Sequence, residues 1–226
     1  MGAFDDSMRE DSRPPRPKEG AYAYLNRSAL PEADQARREI DGWLARYPAE
    51  HAGQLLLRLQ SPLGQQHEAA FFELLLHQVL LSLGHRIAAI EPKLLHTWKS
   101  PDFLVESPAG ERFFLEGVSA GGADLRDVLK RKANRYGALG LPYVVAVNKA
   151  GGEDLAPMLL EGDASLWHGP RGPQRRRLSA VLALDHADPW RFAGCRVGLI
   201  RNPWAEFPLP PVELGGGRAV GELIQL

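Results

Sequence analysis

The sequence predicts an α/β domain in which helices pack on a mixed β-sheet. Three observations carry that prediction. One long, apolar-striped helical segment is followed by a run of short β-favouring segments, and a second helical segment separates the third of these from the fourth. The resulting order is helix, three strands, helix, strand. Such an order calls for a sheet covered by helices, because each element has an apolar face to bury.

The chain has 226 residues, of which 44% are hydrophobic and 24% charged. That length suits one medium domain with appendages and supplies a real core, so disorder throughout is excluded. With 27 Lys+Arg against 28 Asp+Glu the formal net charge is −1, which argues against a broadly cationic surface. Contact with nucleic acid must then come from a local basic groove. The single cysteine, Cys195, allows neither an internal disulfide framework nor a multi-cysteine zinc site, and it fits a reducing compartment. A cytoplasmic location is expected. The opening residues are too acidic and too poor in apolar side chains for a signal peptide, and no apolar run reaches the ~18 to 20 residues needed to span a bilayer.

In chain order, residues 1–20 carry the run Arg13-Pro14-Pro15-Arg16-Pro17 and mixed charge without a face to bury, and are expected to form a disordered arm. A helical extension is expected over 21–63. Within it Pro31 opens a helix, Glu32 and Asp34 supply an acidic first turn, and Ile40, Trp43, Leu44 and Tyr47 recur at helical spacing until Pro48 ends it. Residues 55–59 are apolar but form only a short stretch, and Ser61-Pro62-Leu63-Gly64 breaks the chain.

The core is expected over 64–150. Its first helix spans 65–83, with Ala69, Phe72, Leu75, Leu76, Val79, Leu80 and Leu83 as a wide apolar stripe and Gly84 as the stop. The period then changes, and 86–90, 102–106, 112–118 and 143–148 read as strands, with Ser107-Pro108-Ala109-Gly110-Glu111 as a hairpin connection. A turn at Ser119-Ala120-Gly121-Gly122-Ala123 leads into a helix over 123–139. A C-terminal extension, 151–226, is expected to pack on the core with a short helix at 155–160, strands at 178–184 and 196–201, and a Pro- and Gly-rich tail.

Chemistry enters through the hairpin. If it is centred on Ala109, Asp102 lies opposite Glu116. Directly opposed side chains have Cβ atoms about 4.5 to 5.5 Å apart, and like charges there are destabilising, so a bound cation would resolve the conflict. Carboxylates so spaced suit Mg²⁺ or Mn²⁺, which can polarise a phosphate and sharpen a water nucleophile. On the 123–139 helix the apolar stripe is Leu125, Val128, Leu129, Tyr136 and Leu139, and Lys132 sits in its middle. Lys132 either reaches the carboxylate pair or snorkels to solvent. Glu68 and Glu73 border the stripe of the 65–83 helix, and His77 follows Glu73 by one turn. Each glutamate reads as a solvated flank or as a third acid, while Glu73 with His77 reads as local support or a metal pair. The other histidines lack ligand spacing, which argues against a zinc enzyme.

The strings Phe72-Glu73-Leu74-Leu75-Leu76-His77, Ser100-Pro101-Asp102-Phe103-Leu104-Val105 and Phe113-Phe114-Leu115-Glu116-Gly117-Val118 resemble the motifs of the PD-(D/E)XK nuclease superfamily, the restriction-endonuclease-like fold. The resemblance spans about residues 65–150. It implies an αβββαβ core and a metal-dependent endonuclease in which Asp102 and Glu116 hold Mg²⁺ or Mn²⁺ and Glu73 or Glu68 is the helix acid. The superfamily's lysine, two residues after the glutamate, is replaced here by Val118. Members are known in which that lysine has moved to the following helix, and Lys132 within Arg131-Lys132-Ala133-Asn134-Arg135-Tyr136 is the candidate for it. The stretch 132–148 also resembles bacterial members of the superfamily.

The implied partner is nucleic acid, DNA ahead of RNA, with no membrane and with a homodimer left open. Arg171, Arg175, Arg176 and Arg177 form a basic loop that can contact phosphates or simply face solvent, and Trp167 or His168 beside it can stack on a base. The missing motif lysine also allows a reading of another class: a nuclease-like scaffold without catalysis that binds nucleic acid or protein.

Overall fold

The computed structural model of this chain describes residues 2–17, 19–119, 124–149, 154–163 and 165–224. Four helices come first: α1 (Ala21–Arg27), α2 (Pro31–Arg46), α3 (Ala49–Leu59) and α4 (Gly64–Ser82). Strands β1 (Arg86–Ile90), β2 (Phe103–Glu106) and β3 (Arg112–Ser119) follow, then α5 (Leu125–Ala133), β4 (Tyr143–Lys149) and α6 (Ala156–Leu160). The chain closes with the two-residue strands β5 (His168–Gly169) and β6 (Gly172–Pro173), then β7 (Ala180–Asp185), β8 (Val197–Arg201) and α7 (Val220–Ile224).

The main sheet has six strands in the order β1-β2-β3-β4-β7-β8. The β3, β4 and β7 strands run parallel, while β1, β2 and β8 join antiparallel. It is a mixed sheet with helices on both faces. Alternation along each strand sorts the core into two layers. Phe103, Val105, Phe113, Leu115, Val144 and Ala146 face α4 and the N-terminal helices, whereas Leu104, Phe114, Tyr143, Val145 and Val147 face α5, α6 and the buried Trp167. Burial on both faces explains why 143–147 reads as an unbroken apolar run rather than an alternating one.

Helix α4 departs from the expected stripe. It is enclosed by β3 on one side and α2 and α3 on the other, so every residue from Ala70 to Leu80 is buried, Glu73 and His77 included, while Ala69 lies exposed. A helix covered on all sides has no solvated flank at its middle. Phe71, Phe72, Leu74 and Leu75 are essentially inaccessible, each burial contributing about 1.5 to 3 kcal/mol.

Other expectations change for identifiable reasons. The short apolar stretch 55–59 is the end of an eleven-residue helix, α3, whose first turn carries Glu50 and whose last carries Arg58. Helix α5 ends at Ala133, capped at Asn134, rather than reaching residue 139, and Gly137 and Gly140, both at positive φ, turn the chain away beyond it. The turn expected at 119–123 lies largely outside the described residues. The first residues, expected as a disordered arm, lie against the helical layer: Ala3 and Phe4 are buried, Phe4 stacks on Tyr22 at 5.5 Å, and Arg9 donates to the Asn26 carbonyl at 2.6 Å. Arg27 grips Glu19 at 2.6 Å. No helix among the described residues is long and apolar enough to cross a membrane.

Candidate active site

The β2–β3 hairpin sets the frame. Its turn is closed by Gly110 N donating to the Ser107 carbonyl at 2.9 Å, with Gly110 at a φ of 87° that favours glycine. Phe103 then faces Leu115 and Glu106 faces Arg112. Continued by one residue, that register sets Asp102 beside Glu116.

Asp102 stands at the mouth of β2. Its carbonyl accepts from Glu91 N at 2.9 Å, and its Oδ2 accepts from Gly117 N at 2.6 Å. The β2–β3 ladder has ended at Leu115, so the strand N–H two residues on takes a side-chain acceptor instead. Gly117 also lets α4 approach: a Cβ there would meet Leu76 Cδ1 at 3.0 Å and both Phe72 Cδ1 and Asp102 Oδ2 at 3.4 Å. Burial, then the charges of Glu116 and Glu73, push the Asp102 carboxyl well above the ordinary carboxylate range; the Gly117 N–H and the Lys132 ammonium oppose this without prevailing.

Glu116 is only 3% exposed and faces the α5 layer. The Lys132 ammonium donates to its Oε1, the Tyr136 hydroxyl to its Oε2, and Arg135 Nη1 lies 3.8 Å from Oε1. Tyr136 Oη is also 2.9 Å from the Ser100 carbonyl, so one hydroxyl proton faces two acceptors. Lys132 therefore turns inward from α5, a helix whose start is capped by Asp124 accepting from Arg126 N at 2.8 Å.

The glutamates of α4 part company. Glu73 is buried and held from the N-terminal layer: Tyr47 Oη donates to Oε1 at 2.6 Å and Arg58 Nη1 lies 2.8 Å from Oε2. Its charge is near enough to disfavour ionised Asp102, but both its oxygens are engaged. Glu68 is exposed and lines a cleft of about 640 Å³ between α4 and α5. His77 packs 4.7 Å from the Tyr47 ring and 6.2 Å from Phe103, and burial drives its pKa down to about 4. That makes it a neutral core residue, not half of a metal pair with Glu73.

The cleft's wall is cationic. Lys99, Arg131, Lys132 and Arg135 line it with Val118 and Ser119, and Glu68 is the acid opposite. Arg171, Arg175, Arg176 and Arg177 do not line it; Arg175 donates to the Leu166 carbonyl at 2.7 Å and Arg176 to that of Trp204 at 3.0 Å. Trp167 is wholly buried, so it has no face to offer a base.

No protein-family model, curated protein or solved structure matches this chain. Among the described residues no three His, Cys, Asp or Glu side chains group as a metal cage. Two carboxylates fit a different arrangement, in which Mg²⁺ takes one or two carboxylates and fills the rest of its shell with water and substrate phosphate. Asp102 and Glu116 are hard oxygen donors, and the charge of Glu116 is one cause of the raised Asp102 carboxyl, so the two groups lie close enough to act on each other.

Several of these residues escaped the sequence reading. Tyr136 was visible only as an apolar-stripe residue, Tyr47 and Arg58 lie far from Glu73 in sequence, and Arg131 and Arg135 were visible only as neighbours of Lys132. The clustering of three cations within 131–135 was the available signal for the cleft wall.

Proposed function

We propose that this chain is a divalent-metal-dependent endonuclease that hydrolyses phosphodiester bonds of nucleic acid, DNA ahead of RNA, on a restriction-endonuclease-like core. The succession α4, β1, β2, β3, α5, β4 supports the fold assignment. The observation that carries the functional reading is the contact of Lys132 with Glu116 beside Asp102 on the adjoining strand, because it supplies from α5 the amine that Val118 cannot.

Asp102 and Glu116 would hold Mg²⁺ or Mn²⁺, which supplies Lewis-acid polarisation of a phosphate and acidifies bound water. The chain's own residues do the rest. Lys132 places a positive charge where negative charge grows on the phosphoryl oxygens and can orient the attacking water. Tyr136 fixes the second oxygen of Glu116, and Gly117 N fixes one oxygen of Asp102. Glu68, across the cleft, is available as the helix acid; Glu73 acts on the site through its charge. Lys99, Arg131 and Arg135 hold the phosphate backbone.

One observation favours a second reading, a nuclease-like scaffold that binds without cutting: both oxygens of Glu116 already have donors. The assays separate the two. Purified protein is offered single- and double-stranded DNA and RNA with Mg²⁺ or Mn²⁺, beside Asp102→Ala and Glu116→Ala. Cleavage lost in both variants is expected; cleavage unaffected by either defeats the mechanism. Calorimetric titration with Mn²⁺ in the absence of nucleic acid gives heat for the enzyme and none for the scaffold.

A further inference from the structure

The segment joining β1 to β2, residues 91–100, leads straight into Asp102 and carries two of the three most exposed large apolar side chains among the described residues. Leu95 is 97% and Trp98 90% exposed. A tryptophan so exposed presents a large, rigid aromatic face to solvent, available to a flat partner. The loop is built rather than slack. Leu94 and Thr97 form a β-bridge across its tip, Leu94 packs into the α5-side core, and Thr97 Oγ1 accepts from Lys99 N at 3.1 Å. Its far end meets Tyr136, whose single hydroxyl proton is shared between the Ser100 carbonyl, at 2.9 Å, and Glu116.

Charge decides what such a loop meets. Lys99 sits 5.6 Å over one face of the Trp98 ring and also lines the cationic cleft, and Arg131 and Arg135 continue that wall along α5. Trp98 precedes Asp102 by four residues, so at most ~14 Å of chain separates the indole's attachment from the carboxylate's. A flat ring beside a row of cations matches a polyanion that carries flat rings of its own. Bases within a duplex have their faces covered by neighbours, whereas an unpaired base has a face free to stack.

We propose that residues 91–100 grip single-stranded nucleic acid, Trp98 stacking on an unpaired base while Lys99, Arg131 and Arg135 follow the backbone into the cleft. The inference rests on the reading of that cleft as a nucleic-acid site but not on cleavage there. It makes unpaired or frayed strands the substrate class.

Binding is measured by fluorescence anisotropy of a labelled single-stranded oligonucleotide and of its duplex, with EDTA present so that nothing is cut. Trp98→Ala is expected to weaken single-strand binding by about 5- to 150-fold, the span of one lost base–aromatic stack. Duplex binding should barely change, and Trp98→Phe should retain most of the affinity. Because Trp98 is exposed, its thermal melt should match the parent's. Equal single-strand affinity for parent and Trp98→Ala overturns the inference and leaves the nuclease reading untouched. Trp98-dependent single-strand binding by a protein that never cleaves with Mg²⁺ or Mn²⁺ sustains the inference and removes the nuclease reading. Trp98-dependent binding to anionic phospholipid vesicles without any to nucleic acid overturns it in favour of a membrane contact.

Discussion

The ammonium of Lys132, on α5, donates to Oε1 of Glu116, on β3. Lys132 is 18% exposed at its side chain and Glu116 3%, so the pair is shielded from bulk water on the carboxylate's side. A lysine that only snorkelled would have placed its charge outward. Here the helix register, with Val128, Leu129 and Ala133 buried, aims the intervening position at the sheet.

Lys132→Met should therefore lower turnover by about 10²- to 10⁴-fold, the usual range for losing a positioned proton-handling or charge-stabilising group. It should also cost on the order of 1 to 3 kcal/mol of stability, because Glu116 keeps Tyr136 and a distant Arg135 but loses its closest cation. Val118 lines the same cleft. Adding Val118→Lys to Lys132→Met is expected to restore part of the activity, read as cleavage rate against Mg²⁺ concentration. A double variant as inactive as the single one would count against an exchangeable amine.

Gly117→Ala tests the seam between α4 and the site. The added methyl would lie 3.0 Å from Leu76 Cδ1 and 3.4 Å from Asp102 Oδ2, so packing or the carboxylate must shift. Overpacking of this kind costs about 1 to 3 kcal/mol. Mn²⁺ affinity by calorimetry should fall with the melting temperature, whereas Gly53→Ala, on α3 with open space around it, should leave Mn²⁺ affinity unaltered.

Asp102→Asn separates function from stability. The folded carboxyl titrates above its unfolded value because burial and the charges of Glu116 and Glu73 favour the protonated form. A raised folded pKa means that the contribution to stability is fully present below about pH 4 and is lost as pH climbs toward the folded value. The asparagine variant should thus be more stable than the parent at pH 8 without metal, by at least about 1 kcal/mol, and the gap should close in acid. Mg²⁺ or Mn²⁺ should raise the parent's melting temperature and not the variant's. Chemical denaturation across pH with and without the ion reads both effects.

Much of this arrangement was legible in the sequence, and what was not has a physical reason. The strand over Arg86–Ile90, the helix opened by Pro31 and the hairpin register follow from local signals: β-favouring composition, an N-terminal proline, a turn with glycine. Lys132 was legible as an anomaly in an apolar stripe. The grip of Tyr47 and Arg58 on Glu73 was not, since it depends on how α2 and α3 cross α4, and no periodicity encodes that crossing. The burial of Phe4 depends likewise on a distant Tyr22. Tyr136 keeps the helical spacing after the chain has left the helix, which stops at Ala133 with Asn134 as its cap, and the positive-φ glycines at 137 and 140 keep the chain from resuming it.

His77 gives the chain a built-in acid weakness. It is 2% exposed, its Nδ1 has no hydrogen-bond partner, and it lies against the rings of Tyr47 and Phe103. Burial, with a smaller push from Arg46, lowers its pKa from 6.5 to about 4, so the neutral ring is the form the core accepts. The unfolded chain binds the proton at higher pH than the folded one does. Stability from this residue is thus complete above about pH 6.5 and is lost as pH falls to about 4, a swing of about 3 kcal/mol. His77→Leu, close in volume and without a titrating group, should flatten the fall in stability between those pH values. His67 is buried with a lowered pKa as well, so part of the acid limb should survive the substitution. Equilibrium denaturation of parent and variant at several pH values measures the difference. Parallel pH profiles for the two would mean that His77 titrates in the folded protein as it does in water.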